Sequence, residues 1–224
     1  MLIATEAWRS AHPGACVGAL AMGGVSNPVR SAELDVRKDA LEAELRSRFA
    51  SSQRAEIKTH PRIAPYTAYY RRFDKTYHVQ HQLESVVFKD RPIPRVAALV
   101  EAMFVGELQN LLLTAGHDLE SVRGQVVLDT AMGTETYLTL GGSQQTLKKG
   151  DMFIRDDAGV LSSILYGPDH RTRILDTTAR LLLTVYAPVG ITADIVRSHL
   201  DDLQGLVRLV SPAAGVEGIE VIEA

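Results

Sequence analysis

The spacing of apolar residues changes along the chain, from a mainly helical period before residue 124 to a mainly alternating one after it. The apolar run at residues 16–22 predicts a buried strand, because a Gly-rich loop follows it. Ser31 is a candidate N-cap for the next helix. The apolar stripe of that helix consists of Leu34, Leu41, Leu45 and Phe49.

Three further helices are predicted before the change of period. Residues 63–73 place Ile63, Tyr66, Tyr70 and Phe73 on one helical face and leave Tyr69, Arg71, Arg72 and Lys75 for the other. A short helix is predicted at residues 80–88, and the prolines of RPIPR end it. Residues 96–113 form the clearest helix, with an apolar face wide enough to indicate a central buried position. The following TAGHD segment is expected to form a turn.

The second half of the chain predicts strands and one final helix. Alternating runs separated by turn signals predict strands at residues 126–130, 136–140, 151–156, 160–166 and 180–188. Thr192 is a candidate N-cap for the last helix, and the tail 211–224 has only weak patterning. Helices and strands are segregated rather than alternating, which predicts an α+β fold. We expect a largely antiparallel sheet packed against the central buried helix and flanking helices.

Composition and charge limit the classes of function. The chain has 224 residues, 46% of them hydrophobic, which suits a globular protein with a substantial core. Residues 1–95 carry 15 basic and 10 acidic side chains, and residues 96–224 carry 9 and 17, so the balances are +5 and −8. A strongly basic nucleic-acid binder is therefore not expected, and any contact with a polyanion would use a local patch in the first half.

The expected location is the cytoplasm. The start of the chain lacks a basic segment followed by an apolar one, so we expect no signal peptide, and the apolar runs are too short to span a membrane. The single cysteine, Cys16, excludes an internal disulfide and fits a reducing compartment.

Several short motifs carry possible chemistry, and each also has a purely structural interpretation. His78, His81 and Glu84 share helical spacing but lack further ligands, so we predict a solvated helix face, no metal and no cofactor. The aromatic and basic residues 69–75 fit either nucleotide contacts or an amphipathic helix. The Gly141–Gly142 pair predicts a hairpin turn, and the polar loop 167–173 is either a site or a surface turn.

An ordered set of segments resembles the editing (tRNA-binding) domain in the β-subunit of bacterial phenylalanyl-tRNA synthetase. The segments are PRIAPYTAYYRRF, PIPRVAALVEAMF, HDLESVRG, YLTLGG, LKKGDMFIRDDAGVL and RTRILDTTARLLLTVYAP. The closer resemblance is to free-standing proteins that consist of this domain alone. It implies a lead-in at residues 1–13, the editing-like domain at 14–190, and a C-terminal helix and tail at 191–224 packed on the same domain.

The resemblance implies a pocket between the central sheet and a buried helix. Matching the family motifs places Phe104 at an asparagine slot, Ala115 at the slot of a pocket histidine and His117 at an aromatic slot. The implied pocket residues are Phe104, Ala115, Gly116, Gly141, Gly142, Asp169 and Thr172. The candidate catalytic residues are His117 and His170. The implied tRNA contacts are Arg71, Arg72, Lys75, Arg91 and Arg95.

Two functions follow from the resemblance, and a third does not depend on it. The chain is either a stand-alone protein that hydrolyses the ester of mischarged tRNA in trans, or a non-catalytic module that binds tRNA, a free amino acid or another small ligand. Aminoacylation is not expected, since the remaining residues cannot hold a synthetase catalytic domain. The alternative is a protein-interaction domain that uses the helix at residues 31–50.

Overall fold

The computed structural model describes residues 2–224 and shows the expected α+β architecture, with antiparallel-rich sheets and flanking helices. The helices are α1 (Glu6–Ala11), α2 (Ala32–Arg48), α3 (Arg54–Thr59), α4 (Ala64–Arg71), α5 (His78–Lys89), α6 (Ala98–Asn110) and α7 (Ala193–Val210). The strands are β1 (Leu2–Ala4), β2 (Cys16–Gly23), β3 (Leu113–Asp118), β4 (Val126–Thr130), β5 (Thr136–Leu138), β6 (Gln144–Thr146), β7 (Met152–Asp156), β8 (Gly159–Ser163), β9 (Gly167–Pro168), β10 (Arg180–Ala187) and β11 (Gly215–Glu223).

A four-stranded antiparallel sheet, which we call the inner sheet, has the order β11-β2-β10-β3. Helices α6 and α7 cover one of its faces and pack against each other. The contact is close at Gly18 of β2, where a Cβ atom would lie 2.6 Å from Val196 and 3.0 Å from Leu200 of α7. On the same face, Thr114 of β3 shares a 2.9 Å hydrogen bond with the ring of His199. This face is therefore a helix-to-sheet core.

A five-stranded sheet, which we call the outer sheet, covers the opposite face of the inner sheet. Its order is β1-β4-β7-β8-β9, and β1 pairs with β4 in parallel whereas the other pairs are antiparallel. Ser162 of β8 contacts both His117 of β3 and Tyr186 of β10, which fixes the two sheets face to face. The strands β5 and β6 form a separate hairpin.

The helix signals in the sequence correspond to observed caps and buried stripes. The hydroxyl of Ser31 accepts a hydrogen bond from Leu34 N at 3.3 Å, and that of Thr192 accepts one from Ile195 N at 3.4 Å. Helix α6 is buried along most of its length, as its wide apolar face indicated. The four residues expected on the inner face of α4 and its flanks, Ile63, Tyr66, Tyr70 and Phe73, are all buried.

Three local predictions are wrong. The helix expected at residues 96–113 ends at Asn110, because Leu111 adopts a left-handed conformation with φ 60°. The expected turn at TAGHD is instead the interior strand β3, whose residues are buried without alternation. Tyr69 is 4% exposed rather than on the outer helix face, because its hydroxyl donates to Asp151.

Both ends of the described chain also contain strands that the pattern did not predict. The weakly patterned tail contributes β11, which pairs along the length of β2 with one register shift. Leu2–Ala4 extends the outer sheet beside β4. Within residues 2–224, none of the helices combines the length and apolar character needed to cross a bilayer.

Two glycine substitutions test the close packing of α7 on the inner sheet. Gly18→Ala is expected to destabilise the protein by about 1–3 kcal/mol, because the added methyl overlaps Val196 in a filled core. Gly205→Ala is the control, since it lies in α7 and its new Cβ would meet no atom within 4 Å apart from its chain neighbours and the backbone of its own helix, and it should stabilise by up to ~1 kcal/mol. Urea unfolding of the two variants measures both changes, and equal effects would contradict this packing.

Candidate functional site

A buried polar network lies between the two sheets and is centred on His117. The His117 ring contacts the Thr172 hydroxyl through Nδ1 at 2.8 Å and the Ser162 hydroxyl through Nε2 at 3.2 Å. Ser162 in turn lies 2.8 Å from the hydroxyl of Tyr186. His117, Ser162, Thr172 and Tyr186 are each fully buried. The structure therefore places His117 in the protein interior and not on the wall of an open pocket.

Burial also determines the protonation of this histidine. Desolvation, helped by the positive charge of Arg171, lowers the pKa of His117 to about 3, and Asp156 acts in the opposite direction. The ring is thus neutral at pH 7, with one nitrogen donating and the other accepting. It joins β3 to β8 and to the loop that contains Thr172.

Asp169 anchors the same loop from the other side of Thr172. Its Oδ1 accepts hydrogen bonds from the backbone N of Thr172 at 3.1 Å and from the Thr172 hydroxyl. Burial is the main cause of a raised pKa for Asp169, and the hydrogen bonds from Thr172 oppose that rise. Asp169 also lines a cavity of about 220 Å³ together with His170 and Tyr137, which we call the loop cavity. His170 is half-buried there, and its Nδ1 lies 3.1 Å from the guanidinium of Arg173.

The other pocket residues implied by the sequence are dispersed. Gly116 faces away from the outer sheet, since a Cβ there would meet Ile174, Leu183 and Met103. Phe104 is half-buried on α6. Gly141 and Gly142 are exposed in the turn of the β5–β6 hairpin, where they are open to solvent. The structure therefore brings Ala115, His117, Thr172 and Asp169 into one layer and separates them from the remaining residues.

A cavity of about 210 Å³ opens at the edge of the same layer, and we call it the intersheet cavity. Its walls come from both sheets and from the segment after β3. They consist of Leu2, Ala19, Ala21, Leu119, Val126, Arg180, Leu182, Thr184, Glu217, Gly218 and Glu220. Thr184 pairs across the strands with Ala115, and Leu182 pairs with His117. The cavity therefore adjoins the position that the resemblance singled out, and small side chains at Ala19 and Ala21 leave the space open.

Charged groups stand at the rim of the intersheet cavity. The Arg180 guanidinium donates to both carboxylate oxygens of Glu217 at 2.6–3.1 Å. These hydrogen bonds lower the pKa of Glu217 and raise that of Arg180, so both are charged at pH 7. The carboxylate of Glu220 accepts a hydrogen bond from Leu2 N. Glu217 and Glu220 lie in the weakly patterned tail, where the sequence carries no motif that marks them as site residues.

A further concave surface, the basic cleft, lies between α3, α4 and α5 and has a volume of about 420 Å³. Arg71 and Lys75 line it, as do Arg54 and Lys58, which sequence analysis did not select. Among the described residues lining the cleft, one carboxylate, Glu84, offsets these cations, and it lies 3.6 Å from Arg54. Thr67 also lines the cleft, but its hydroxyl is buried and has no hydrogen-bond partner in the described structure.

The other implied tRNA contacts lie elsewhere. Arg72 lines a separate cavity on the opposite side of α4. Arg91 borders a third depression near Pro92. Arg95 forms an ion pair with Asp35 of α2. The five cations therefore do not form one continuous surface, and the helical period of α4 separates even the adjacent Arg71 and Arg72.

No group of three His, Cys, Asp or Glu side chains within residues 2–224 is arranged to hold a metal ion. Glu84 of the His78–His81–Glu84 motif is engaged instead, since it accepts a 2.7 Å hydrogen bond from Gln80 and lies beside Arg54.

Comparison with known proteins finds a similar fold but does not show an activity for this chain. The sequence matches no family model and no curated protein. Its structure is similar to an N-terminal fragment of the phenylalanyl-tRNA synthetase β-subunit from Pyrococcus horikoshii, with a TM-score of 0.50 and 12% identity. The similarity covers 99% of this chain and 50% of that fragment, so the chain spans about half its length. At this identity the likeness shows a shared fold.

The buried state of His117 predicts a pH dependence of stability. The folded chain leaves His117 neutral down to about pH 3, whereas the unfolded chain binds a proton below about pH 6.5. Its contribution to stability is therefore complete above about pH 6.5 and is lost as the pH falls towards 3.

In the His117→Gln variant, the loss of stability that protonation of His117 causes at low pH should disappear. The slope of unfolding free energy against pH, measured by urea unfolding between pH 7 and 4.5, should decrease by up to ~1.4 kcal/mol per pH unit at the acid end. Parallel curves for the variant and the unsubstituted protein would contradict the assignment of a buried, neutral ring.

Proposed function

We propose that this chain recognises the aminoacyl end of tRNA and hydrolyses the ester of mischarged tRNA in trans. The observation that carries the proposal is the intersheet cavity, an apolar space with a charged rim beside Ala115, in a fold like that of a synthetase β-subunit fragment. The resemblance in sequence places the pocket of the editing domain next to this residue.

The shape and charge of the intersheet cavity suit an aminoacyl group. Its apolar walls would take the amino-acid side chain, since apolar pockets with a few placed polar groups are the usual form of a small-ligand site. The carboxylate of Glu220 would bind the α-ammonium group. The Arg180 guanidinium, a double hydrogen-bond donor, would bind the ester carbonyl.

Hydrolysis of an aminoacyl ester requires few catalytic groups from the protein. An aminoacyl ester is already activated, so the site has to position a water molecule and stabilise the charge that develops on the carbonyl oxygen. Glu217 is ionised at neutral pH and can accept a proton from that water as the water oxygen bonds to the ester carbon, while Arg180 can stabilise the oxyanion. When the bond to the ribose oxygen breaks, Glu217 returns the proton to that oxygen. His117 would act by positioning, because its bonds to Thr172 and Ser162 hold the wall of the cavity region in place.

The basic cleft would supply the tRNA contacts. Phosphate contacts by Arg and Lys position nucleic acids without reading sequence, and they give binding that weakens with salt. Such a surface is formed by Arg54, Lys58, Arg71 and Lys75. The acidic second half of the chain would keep this binding weak and transient, which suits a protein that releases its product.

The C-terminal segment belongs to the same domain in this proposal. β11 pairs with β2, and it contributes Glu217, Gly218 and Glu220 to the intersheet cavity. A chain shortened before β11 would therefore lose one wall of the proposed site.

A second candidate function is the binding of a free amino acid without hydrolysis. The observation that favours it is the Arg180–Glu217 pair, because one cation and one anion side by side match the two charges of an amino-acid zwitterion. In this case Arg180 would bind the free carboxylate, which an ester lacks.

The tRNA contact is tested by a pair of arginine variants. Arg71→Gln should weaken tRNA binding several-fold and reduce the slope of log K against log salt by roughly 0.7 to 0.9, the amount expected for one lost phosphate contact. Arg95→Gln is the control, since Arg95 pairs with Asp35 outside the basic cleft, and it should bind nearly as the unsubstituted protein does. Fluorescence anisotropy with labelled tRNA measures both, and equal losses in the two variants would reject the cleft.

Hydrolysis is tested with a panel of mischarged tRNAs. At least one aminoacyl-tRNA should lose its amino acid faster with the protein than without it, and Arg180→Gln should reduce that rate at least tenfold while leaving tRNA binding intact. Thermal shift with free amino acids tests the second candidate, because a ligand of the native state raises the melting temperature. A melting shift without any deacylation would replace the first function by the second, and neither effect would reject both.

A further inference from the structure

We propose that a second ligand site lies in the cavity beside Arg72, and that it binds a small organic carboxylate with an apolar body. This site is distinct from the proposed aminoacyl site and does not depend on it. The cavity, which we call the Arg72 cavity, has a volume of about 220 Å³. Its walls consist of Ala11, His12, Pro13, Ala15, Pro65, Ala68, Tyr69, Arg72, Met152, Pro188 and Val189.

The walls of the Arg72 cavity are formed by four separate parts of the fold. They are the end of α1 with the turn after it, one face of α4 as far as Arg72, the first residue of β7 and the loop after β10. Alanine, proline, valine and methionine side chains make up most of this surface, and Val189 is 66% exposed at its edge. Convergence of apolar groups from distant elements on one concave space is typical of a small-molecule site.

Arg72 is the charged residue among those lining the cavity. Its guanidinium lies 5.3 Å from the ring centre of Tyr69 and 5.4 Å from that of Phe73, so two aromatic rings hold it in position. Within residues 2–224, no carboxylate lies within ion-pair distance of this guanidinium. An oriented cation without an anionic partner, set at an apolar cavity, is complementary to a carboxylate.

The polar groups at the back of the cavity do not cancel the charge of Arg72. Burial, together with the nearby positive charge of Arg72, lowers the pKa of His12 to about 4, so the ring is neutral at pH 7. The Nε2 atom of His12 lies 3.2 Å from the hydroxyl of Thr130, which holds the ring against the outer sheet. The Tyr69 hydroxyl is also engaged, since it donates to Asp151 at 2.9 Å and accepts from Met152 N at 2.7 Å.

Asp151 lies behind Tyr69 and is itself fully buried, with Oδ2 unpartnered in the described structure. Burial outweighs the opposing effect of the hydrogen bonds of Asp151, and the pKa of this carboxyl is raised to about 7. Around neutral pH this carboxyl is therefore only partly ionised, and it opposes an incoming anion weakly. The cavity as a whole offers one positive charge at its rim and an apolar interior.

The test uses 3-phenylpropionate as the probe and Trp8 as the reporter. Trp8 is the single tryptophan of the chain, it is fully buried, and its ring centre lies 6.4 Å from that of His12. We expect 3-phenylpropionate to raise the melting temperature and to change Trp8 emission along a saturable curve. The neutral amide 3-phenylpropanamide should bind at least tenfold more weakly, and inorganic phosphate should also bind at least tenfold more weakly because it lacks an apolar body.

Three variants decide whether the binding uses this cavity. Arg72→Gln should weaken 3-phenylpropionate binding at least tenfold, whereas Arg71→Gln, the neighbouring arginine that faces the basic cleft, should bind within twofold of the unsubstituted protein. Ala68→Phe keeps the charge but places a ring in the cavity from an exposed helix position, and it should also abolish binding.

The proposal is overturned if the unsubstituted protein shows no saturable binding, or if the amide or phosphate binds as well as the acid. Equal binding by Arg72→Gln, or unimpaired binding by a folded Ala68→Phe variant, would also overturn it. Circular dichroism shows whether each variant is folded. Because none of these measurements uses tRNA, their outcome is independent of the deacylation panel.

Discussion

The constraint on which the rest of the structure depends is the burial of both faces of the inner sheet. Helices α6 and α7 cover one face and the outer sheet covers the other, so residues 181–187 of β10 are all buried. Polar groups in such a strand must find partners inside the protein, since an unpaired buried group costs about 1–3 kcal/mol. His117, Ser162, Thr172 and Tyr186 satisfy one another for this reason, and their hydrogen bonds connect the two sheets.

The same layer that requires this network also creates the candidate site. Large side chains fill the centre of the layer, but Ala19, Ala21 and Thr184 are too small to fill its edge, and the intersheet cavity results. The edge is near solvent, so charged residues of β10 and β11 can stand at the rim without the cost of burial. The intersheet cavity is therefore apolar with a charged rim because the side chains between the two sheets are large at the centre of the layer and small at its edge.

The adjacent residues Arg71 and Arg72, at the end of helix α4, face two different surfaces of the protein. Adjacent residues on a helix point about 100° apart, so Arg71 faces the basic cleft and Arg72 faces the cavity beside Tyr69. A run of basic residues that looks like one patch in the sequence thus belongs to two surfaces with different chemistry. The first suits a polyanion, because four cations share it, and the second suits a single anionic group on an apolar ligand.

The sequence by itself determined the α+β class, the central helix α6, the caps at Ser31 and Thr192, and most strands of the second half. These features depend on local periodicity and capping, which short segments carry in full. The sequence pattern did not predict strands β3 and β11, and the reasons for the two strands are opposite. β3 is buried on both faces and has no alternation, whereas β11 is a partly exposed edge strand held mainly by backbone pairing with β2.

The candidate site was decided almost entirely by tertiary structure. Motif matching led to Ala115 and His117, and these residues do lie in the layer that borders the intersheet cavity. It could not reveal that His117 is sealed inside, or that Arg180 and Glu217, 37 residues apart, meet at the rim. Burial and long-range pairing depend on which strands become neighbours, and only the packing of the two sheets sets that arrangement.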